Sequence, residues 1–256
     1  MARQTSGSSR TQAYPLLRQV GLNGMLVTFS RELTDDGNRA ALSFRAALAE
    51  AGWEGIEETS ASLASAFLRF DPERLSHADL SARLEEMLAQ RDWYASDLPA
   101  GRRLWRIPTV YGTDLAPQLG EAAAEAGFSE AEAVERLSAA RVRVLTIGFA
   151  PGQPYLGPLG PEWNLPRQKT LTASVPEGAL VLAISQLVLF AASTPTGWRH
   201  VGQTAFRCFR PETPEPFALN PGDELMFEPI TASELAHIRD TDLSGNGGAT
   251  CEAVGT

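Results

Sequence analysis

Six short strand-like runs, separated by turns rich in glycine and proline, dominate the second half of this chain. Closely spaced strands with such turns are typical of a β-barrel or a β-sandwich. One helical insertion interrupts the runs. Its first helix is predicted within residues 114–126, and its second begins at the capping pair Ser129 and Glu132. The predicted strands span 103–111, 141–149, 179–184, 187–190, 205–209 and 224–227.

The first hundred residues follow a different pattern, in which strand-like runs alternate with amphipathic helices. Thr34 is a predicted helix N-cap and Gly52 a predicted stop, and a second helix is predicted after Ser76. The order strand, helix, strand, helix indicates a small α+β domain of the ferredoxin-like kind. The predicted organisation is a disordered lead-in at 1–12, an α+β domain at 13–97, a β domain at 102–232 and a flexible tail at 233–256.

Charge and composition exclude several classes of partner. The net charge is −9 and the pI is near 4.9, which argues against nucleic-acid binding and against attachment to an anionic membrane. No apolar run is long enough to span a bilayer, and residues 1–10 lack the apolar core of a secretory signal. Cys208 and Cys251 are not expected to form a disulfide, so a cytoplasmic protein is predicted. The three histidines are too scattered for a metal site.

Two stretches dense in glycine and proline are the strongest indication of a binding site. Residues 148–157 read GFAPGQPYLG, and residues 193–204 read STPTGWRHVGQT. Glycine gives the backbone freedom and proline removes it, so alternating the two fixes an irregular loop in one shape. Loops of fixed shape on a rigid β scaffold commonly form small-molecule sites.

Several short motifs accompany these loops in a fixed order. Residues 107–112 read IPTVYG, residues 147–159 read IGFAPGQPYLGPL and residues 221–230 read PGDELMFEPI. Between them lie Pro166-Arg167, Val175-Pro176, Ser185-Gln186 and Gly197-Trp198. In this order and spacing the chain resembles the family of the B component of bacterial ATP-dependent 5-oxoprolinases. The same family is also described as allophanate hydrolase subunit 1 and as Kip-type inhibitors of histidine kinases.

The resemblance implies a cyclophilin-like β-barrel behind the ferredoxin-like domain, with the loops at 150–157 and 193–198 lining a groove. It also implies two partners, a companion barrel subunit (the C component) and a large subunit (the A component). With them, the family complex hydrolyses 5-oxo-L-proline to glutamate using ATP. ATP is therefore the implied cofactor of the complex, although the sequence contains no phosphate-binding loop.

The chain departs from the family pattern at polar positions. Gln153 stands where the family has phenylalanine, and Gln168 and Gln203 stand where it has arginine. Guanidinium groups bind carboxylates with bidentate geometry, so these changes weaken the expectation of the family's anionic substrate. Arg167 and Arg199 remain as candidates to hold an anion.

The predicted substrate-binding residues are Tyr155, Arg167, Gln186, Gln153, Trp198 and His200, and the predicted loop-shaping residues are Pro151, Gly152, Pro154 and Gly197. Tyr155 either presents its hydroxyl to a ligand or anchors its loop on the barrel rim. Gln186 either reads a ligand amide or bonds to loop backbone, and Arg167 faces either the groove or solvent. Trp198 is expected in the core or rim, and His200 either lines the site or is a satisfied strand residue. No catalytic residue is identified.

Two functions remain open on this sequence. The first is an enzyme subunit that contributes half of a composite site to an ATP-dependent amidohydrolase acting on a cyclic amide, and that is active only in the complex. The second is a non-catalytic regulatory or binding module whose groove holds a partner such as a sensor histidine kinase. No nucleophile–base pair is visible, which fits a site shared between subunits. A polar, convergent groove would favour the first function, and an open apolar groove the second.

Overall fold

The computed structural model describes residues 13–254, so the predicted lead-in at 1–12 lies outside the described part. The chain divides between Asp97 and Leu98 into two compact units. One unit is built on an antiparallel sheet and the other on a closed barrel, which makes this a mixed α/β protein. Within the described residues, every helix is too short or too polar to cross a membrane.

The N-terminal unit has its helices where the sequence predicts them. Thr34 caps the first helix by accepting a hydrogen bond from the backbone N–H of Gly37, and the helix ends at Gly52 in the left-handed conformation. Ser76 caps the second helix in the same way, with Asp79 as donor. The elements are β1 (Leu16–Val20), β2 (Gly24–Thr28), α1 (Asp35–Ala51), β3 (Ile56–Ser62), β4 (Ser65–Phe70) and α2 (His77–Ala89).

The sheet of this unit has the order β1-β2-β4-β3, and every neighbouring pair is antiparallel. Its core contains Phe44, whose ring packs edge-on against Phe29 and Trp93 at centroid distances of 5.5 and 4.9 Å. A ferredoxin-like β-α-β-β-α-β chain places its last strand after the second helix. Here β1, which precedes β2, occupies the edge next to β2, so the connectivity differs from that order although the α+β class is observed.

The second unit contains the strands of the barrel and three helices within the described residues. Its elements are β5 (Arg103–Tyr111), α3 (Leu119–Ala126), α4 (Glu130–Ala139), β6 (Val142–Ile147), β7 (Pro154–Gly157), β8 (Thr172–Val175), β9 (Ala179–Ala183), β10 (Gln186–Leu189), β11 (Thr194–Thr196), β12 (Arg199–Gln203), β13 (Glu224–Pro229), α5 (Ala232–Thr241) and β14 (Thr250–Ala253).

Seven strands close into a barrel in the order β12-β9-β10-β7-β6-β13-β5, because β12 pairs with both β9 and β5. At the seam, Gly202 and Gln203 pair with Tyr111 and Val110. The pair β13–β5 is parallel, and β14 adds to β5 on the edge that β12 leaves free. The strands β8 and β11 form a separate two-stranded sheet. Closure gives every strand of the ring two neighbours, which removes exposed sheet edges.

The strands β9 and β10 are buried on both faces. Leu180 and Leu182 belong to the main barrel core, whereas Val181 and Ala183, which alternate with them, belong to a second apolar cluster. Successive side chains of a strand point to opposite faces, so this second cluster lies on the outer face of the barrel wall. It comprises Val175, Ala179, Val181, Ala183, Val188, Phe190 and Trp198, with Tyr155 packed against it.

Two predictions about this unit are wrong. The strand predicted at 205–209 is absent, and β12 at Arg199–Gln203 takes its place, inside a stretch that was predicted to be a loop. The predicted flexible tail at 233–256 instead contains most of α5 (Ala232–Thr241) and all of β14 (Thr250–Ala253). Thr231 and Glu234 make a reciprocal capping box at the start of α5, and this local signal is present in the sequence.

Asp223 is a buried carboxylate that joins the start of β5 to the turn before β13. Only 1% of its surface is exposed. Its Oδ2 accepts hydrogen bonds from the Arg103 guanidinium at 2.6 Å and from the Asn220 backbone N–H at 2.9 Å, and its Oδ1 accepts from the Arg103 backbone N–H at 2.9 Å. These bonds fix the start of β5 against the turn before β13.

Replacing Asp223 with alanine is expected to lower the free energy of unfolding by about 3 kcal/mol, because it leaves buried N–H donors and the Arg103 cation without their acceptor. Urea unfolding followed by circular dichroism measures the change. The control is Asp240→Ala, which removes an exposed carboxylate and is expected to change stability by no more than about 0.5 kcal/mol. Equal effects of the two substitutions would contradict the structural role of Asp223.

Candidate functional site

A groove of about 270 Å³ lies on the outer face of the barrel wall, above the second apolar cluster. We call it the outer groove. Val188 and Phe190 form its floor, because they point outward from β10 while Leu187 and Leu189 point into the main core. The outer groove is lined by Phe149, Gln153, Tyr155, Arg167, Gln168, Leu171, Val188, Phe190, Pro195, Thr196, Gly197 and Trp198.

Two aromatic side chains make one wall of the outer groove. Tyr155 lies in β7 opposite Val188 of β10, and its ring meets the ring of Trp198 edge-on at a centroid distance of 6.2 Å. Trp198 is buried, and its backbone N–H donates to the Thr196 hydroxyl at 3.1 Å. Trp198 therefore forms part of the rim, while half-buried Tyr155 keeps one side towards the groove.

Arg167 provides positive charge at this groove. Its guanidinium lies over the Trp198 ring at 5.4 Å from the centroid. Within residues 13–254 it makes no ion pair or hydrogen bond, and the side chain is exposed. Its neighbour Gln168 has a buried Nε2 without a hydrogen-bond partner in the described chain, while its backbone N–H donates to the Gly197 carbonyl at 2.7 Å. Arg167 thus has free donors at the groove, and the buried amide nitrogen of Gln168 lacks an acceptor within the described chain.

Arg199, the other candidate to hold an anion, is already paired. Its Nε donates to Glu121 at 3.0 Å, its second terminal nitrogen pairs with Glu125, and it also donates to the Pro166 carbonyl at 2.7 Å. The residue is buried, so this cation ties β12 to α3 and to the segment that carries Arg167. Because its donors are used inside the protein, Arg199 does not serve the outer groove.

The loop-shaping residues occupy positions that demand their backbone properties. Gly152 has φ of +73°, and a Cβ on it would lie 2.7 Å from the Cys208 carbonyl oxygen. Pro154 begins β7, and exposed Pro151 precedes the turn. A Cβ on Gly197 would lie 3.3 Å from the Gln168 carbonyl oxygen, so glycine there permits the close approach of the Arg167–Gln168 segment.

Gln153 lines the outer groove but is used mainly to hold its loop. The side chain is buried, and its Oε1 accepts a long hydrogen bond from the Ala191 backbone N–H at 3.4 Å. Its own carbonyl accepts from the Gly148 N–H at 3.0 Å, which closes the 148–153 turn. Gln153 therefore fixes the loop between β6 and β7 against the end of β10.

Two predicted site residues lie outside the outer groove. Gln186 is on the same face of β10 as Val188, but two residues further from Phe190, and it is not part of the lining. His200 lies in β12 and lines a different groove. Of the predicted substrate-binding residues Tyr155, Arg167 and Gln186, the outer groove is therefore lined by Tyr155 and Arg167 only. The set was predicted from the loop motifs, whose order does not specify the face of the sheet on which each side chain lies.

Seven lining residues were not among the predicted site residues: Phe149, Gln168, Leu171, Val188, Phe190, Pro195 and Thr196. Phe149 is 77% exposed and has a positive φ of 73°, which is uncommon for a residue with a Cβ. Leu171 is 64% exposed at the same groove. Gln168 was noted only as a departure from the family pattern. Phe149 and Leu171 thus place two exposed apolar side chains at the edge of the outer groove.

The second groove, of about 400 Å³, we call the His200 groove. It is separated from the outer groove by the β8–β11 sheet, since β11 residues line the outer groove and β8 residues line this one. It is lined by Asp114, Leu115, Pro117, Gln118, Thr172, Ser174, Val175, Pro176, His200, Gln203 and Arg239. Neither groove belongs to a metal site, since residues 13–254 contain no cluster of three His, Cys, Asp or Glu side chains arranged for an ion.

Burial sets the protonation of His200. Only 5% of its surface is exposed, and burial lowers the pKa of its imidazole, although the Gly202 backbone and the Gln203 side chain act in the opposite direction. Its backbone N–H donates to the Gln118 Oε1 at 2.8 Å, which fixes the position of the residue at the groove. The imidazole is therefore neutral near pH 7.

The lowered pKa of His200 predicts a loss of stability in mild acid. In the unfolded chain His200 titrates near its ordinary value of about 6.5, and in the folded chain it titrates at lower pH. Between those two values the unfolded state binds more protons, so the free energy of unfolding falls as the pH falls through this window. Urea unfolding from about pH 7 to about pH 5 is expected to show a smaller decline for His200→Phe than for the wild type.

The matched control for this measurement is His237→Ala, because His237 lies exposed on α5. The free energy of unfolding of His237→Ala is expected to depend on pH as in the wild type. The carboxylates of the protein contribute equally to the pH dependence of every variant, so they do not affect the comparison. A His200→Phe variant with the full wild-type decline would show that His200 does not contribute to it.

Comparison with known proteins identifies the family of this chain. The carboxyltransferase domain, subdomain C and D, matches residues 15–219. The chain is 28% identical over 228 residues to the B component of 5-oxoprolinase from Bacillus subtilis (strain 168), covering 85% of this chain and 94% of that protein. It is 38% identical over 141 residues to the B component of 5-oxoprolinase from Escherichia coli O157:H7, covering 55% of this chain and 65% of that protein.

Among solved structures, the crystal structure of TTHA0988 is similar with a TM-score of 0.68 at 28% identity. The match covers 85% of this chain but only 40% of the TTHA0988 chain. Together with the barrel and the order of its motifs, these matches confirm the resemblance to the B component of 5-oxoprolinase, and the chain belongs to the family of the carboxyltransferase domain, subdomain C and D.

Proposed function

We propose that this chain is the substrate-positioning subunit of an ATP-dependent amidohydrolase that opens the cyclic amide 5-oxo-L-proline to glutamate. The observation that carries the proposal is the outer groove, where the unpaired Arg167 guanidinium and the unpartnered Gln168 Nε2 stand beside an aromatic wall. The names of the B. subtilis and E. coli relatives supply the reaction.

The chemistry of the outer groove suits a small anionic ring. Arg167 can accept a carboxylate in a bidentate, charge-assisted geometry, and its stacking on Trp198 limits the side-chain entropy lost on binding. Gln168 Nε2 can donate to a lactam or carboxylate oxygen. The apolar ring of the ligand would lie on Val188 and Phe190, the outward-facing floor.

The outer groove contains no acid–base machinery. Arg167 and Tyr155 are its only ionisable lining residues within the described chain, and neither has a partner arranged for proton transfer. We therefore assign binding and orientation to this chain, and assign ATP use and attack on the amide to the companion C and A components. The composite site would close where the exposed Phe149 and Leu171 meet a companion.

The same rim supports a second candidate function. Phe149 and Leu171 are apolar, exposed and adjacent to the groove, which also fits a regulatory module that holds a partner protein such as a sensor histidine kinase. In that case the groove would hold an acidic side chain of the partner at Arg167 and no turnover would depend on it.

The proposal extends to fold and location. We propose that the barrel is cyclophilin-like and that the N-terminal unit is a ferredoxin-like sandwich in which β1 has taken the edge position of the last strand. We place the chain in the cytoplasm, where its two cysteines would remain reduced.

The test is co-purification of the chain with its companion subunits, followed by an assay of ATP hydrolysis that depends on 5-oxo-L-proline. Arg167→Ala is expected to lower kcat/KM about 10- to 100-fold, because a charge-assisted hydrogen bond contributes about 1.5–3 kcal/mol. Tyr155→Phe is expected to have a smaller effect. Gln186→Ala lies outside the groove and should leave kcat/KM unchanged.

Arg136→Ala is the matched control for Arg167→Ala. Arg136 is likewise exposed and stacked on an aromatic ring, at 4.3 Å from the Phe128 centroid, but it lies on α4 away from the groove. Wild-type turnover in Arg167→Ala would remove the proposed substrate site. A stable complex without any turnover, or no complex at all, would favour the regulatory module instead.

A further inference from the structure

Two buried polar atoms in the His200 groove have no hydrogen-bond partner. They are Nε2 of His200 and Oε1 of Gln203, and neither makes a hydrogen bond of normal geometry in residues 13–254, although the Gln203 side chain lies near enough to raise the pKa of the imidazole. The two residues are 5% and 1% exposed. A buried polar group without a partner is destabilising, so each atom requires an explanation. Both belong to residues that line the same groove.

An irregularity in β12 places the two side chains together. The register between β12 and β9 shifts between His200 and Gly202, so that His200 pairs with Val181 and Gln203 pairs with Ala179. Val181 and Ala179 both face outward in the second apolar cluster. The extra residue therefore brings His200 and Gln203, three positions apart, to the same outer face.

The orientation of the Gln203 amide is fixed. Its Nε2 donates to the carbonyls of Glu177 and Thr204 at 2.9 and 3.0 Å. Both partners are carbonyl acceptors, which need an N–H donor, so the amide nitrogen must face them. The Oε1 atom of Gln203 then faces away from these two carbonyls. Gln203 thus presents a pure acceptor beside the His200 ring.

The surroundings of the pair are mixed. Leu115, Pro117, Val175 and Pro176 give the groove apolar walls, and its formal charges are one acidic and one basic side chain, Asp114 and Arg239. Both are exposed, and Arg239 also donates to the Thr204 carbonyl at 3.5 Å. The interior of the groove is therefore uncharged, and a neutral ligand with an apolar body fits it.

We propose that the His200 groove binds a small neutral molecule through a primary carboxamide, which bridges His200 Nε2 and Gln203 Oε1. One N–H of the carboxamide donates to Gln203 Oε1. Its oxygen accepts from His200 when Nε2 carries the proton, and its second N–H donates to His200 when Nε2 does not. A primary carboxamide therefore satisfies both atoms in either tautomer of the ring. A hydroxyl group has one proton, so it cannot donate to both atoms when His200 Nε2 is unprotonated and both are acceptors.

The site is independent of the function proposed for the outer groove. The β8–β11 sheet lies between the two grooves, and no residue lines both. The ligand chemistry also differs, because the outer groove offers a cation and the His200 groove offers a neutral acceptor and a neutral imidazole.

The test uses the full chain and benzamide as the probe, with the imidazole signals of His200 followed by ¹H–¹⁵N NMR. Benzamide is expected to bind with a Kd on the order of 1 mM, as suits a ligand of this size, and to shift the His200 signals. N,N-dimethylbenzamide has no N–H to donate, and is expected to shift them at least tenfold less at equal concentration. The signals of exposed His237 should stay unchanged and serve as the internal control.

His200→Phe keeps a ring but removes the nitrogen, and is expected to weaken benzamide binding at least tenfold, as measured by ligand-observed NMR. The wild-type titration stands even if that variant does not fold. Three results would overturn the proposal. The first is that benzamide leaves the His200 signals unchanged, and the second is that N,N-dimethylbenzamide, or benzyl alcohol as a hydroxyl probe, shifts them equally. The third is that the shifts are confined to the Trp198 indole N–H, which would place the probe in the outer groove.

Discussion

The alternation of side chains along β9 and β10 is the constraint on which the rest of this structure depends. Leu180, Leu182, Leu187 and Leu189 fill the barrel, and Val181, Ala183, Val188 and Phe190 fill a second cluster outside it. A register shift of one residue would exchange the two sets, so burial on both faces fixes the pairing. The same fixed pairing sets the floor of the outer groove.

The two arginines on this wall, Arg199 and Arg167, have different roles: one is paired within the fold and the other is available to a ligand. Arg199 is buried and neutralised by Glu121 and Glu125, so it links β12 to α3. Arg167 lies exposed on Trp198 with its donors unused in the described chain. An arginine that serves the fold cannot also bind a ligand without leaving carboxylates unpaired. The proposed division of labour follows, with this chain holding a substrate and its companions supplying the reactive groups.

The strand β12 begins next to the outer groove and lines the His200 groove. Its first residues follow Trp198 at the outer groove, and its irregular end turns His200 and Gln203 towards the second groove. Both sites thus lie on one outer barrel face and share the β8–β11 sheet as their partition.

The sequence by itself determined the elements whose signals are local. Thr34, Ser76 and Ser129 cap their helices as predicted, because a cap bonds to a backbone group within three residues. The order of the glycine and proline motifs was enough to indicate the family and the region of the groove. The strand β14 could not be predicted from local signals, because it forms by pairing with β5, more than a hundred positions earlier.

Only the tertiary structure decided which side chains meet. Tyr155 and His200 lie in two motifs that look alike in the sequence, yet strand direction places them in separate grooves. Gln168 became a donor only because its amide nitrogen is buried without a partner, and Asp223 became a structural residue through its bonds to Arg103. Such contacts arise from the register of distant strands, which periodicity and capping do not encode.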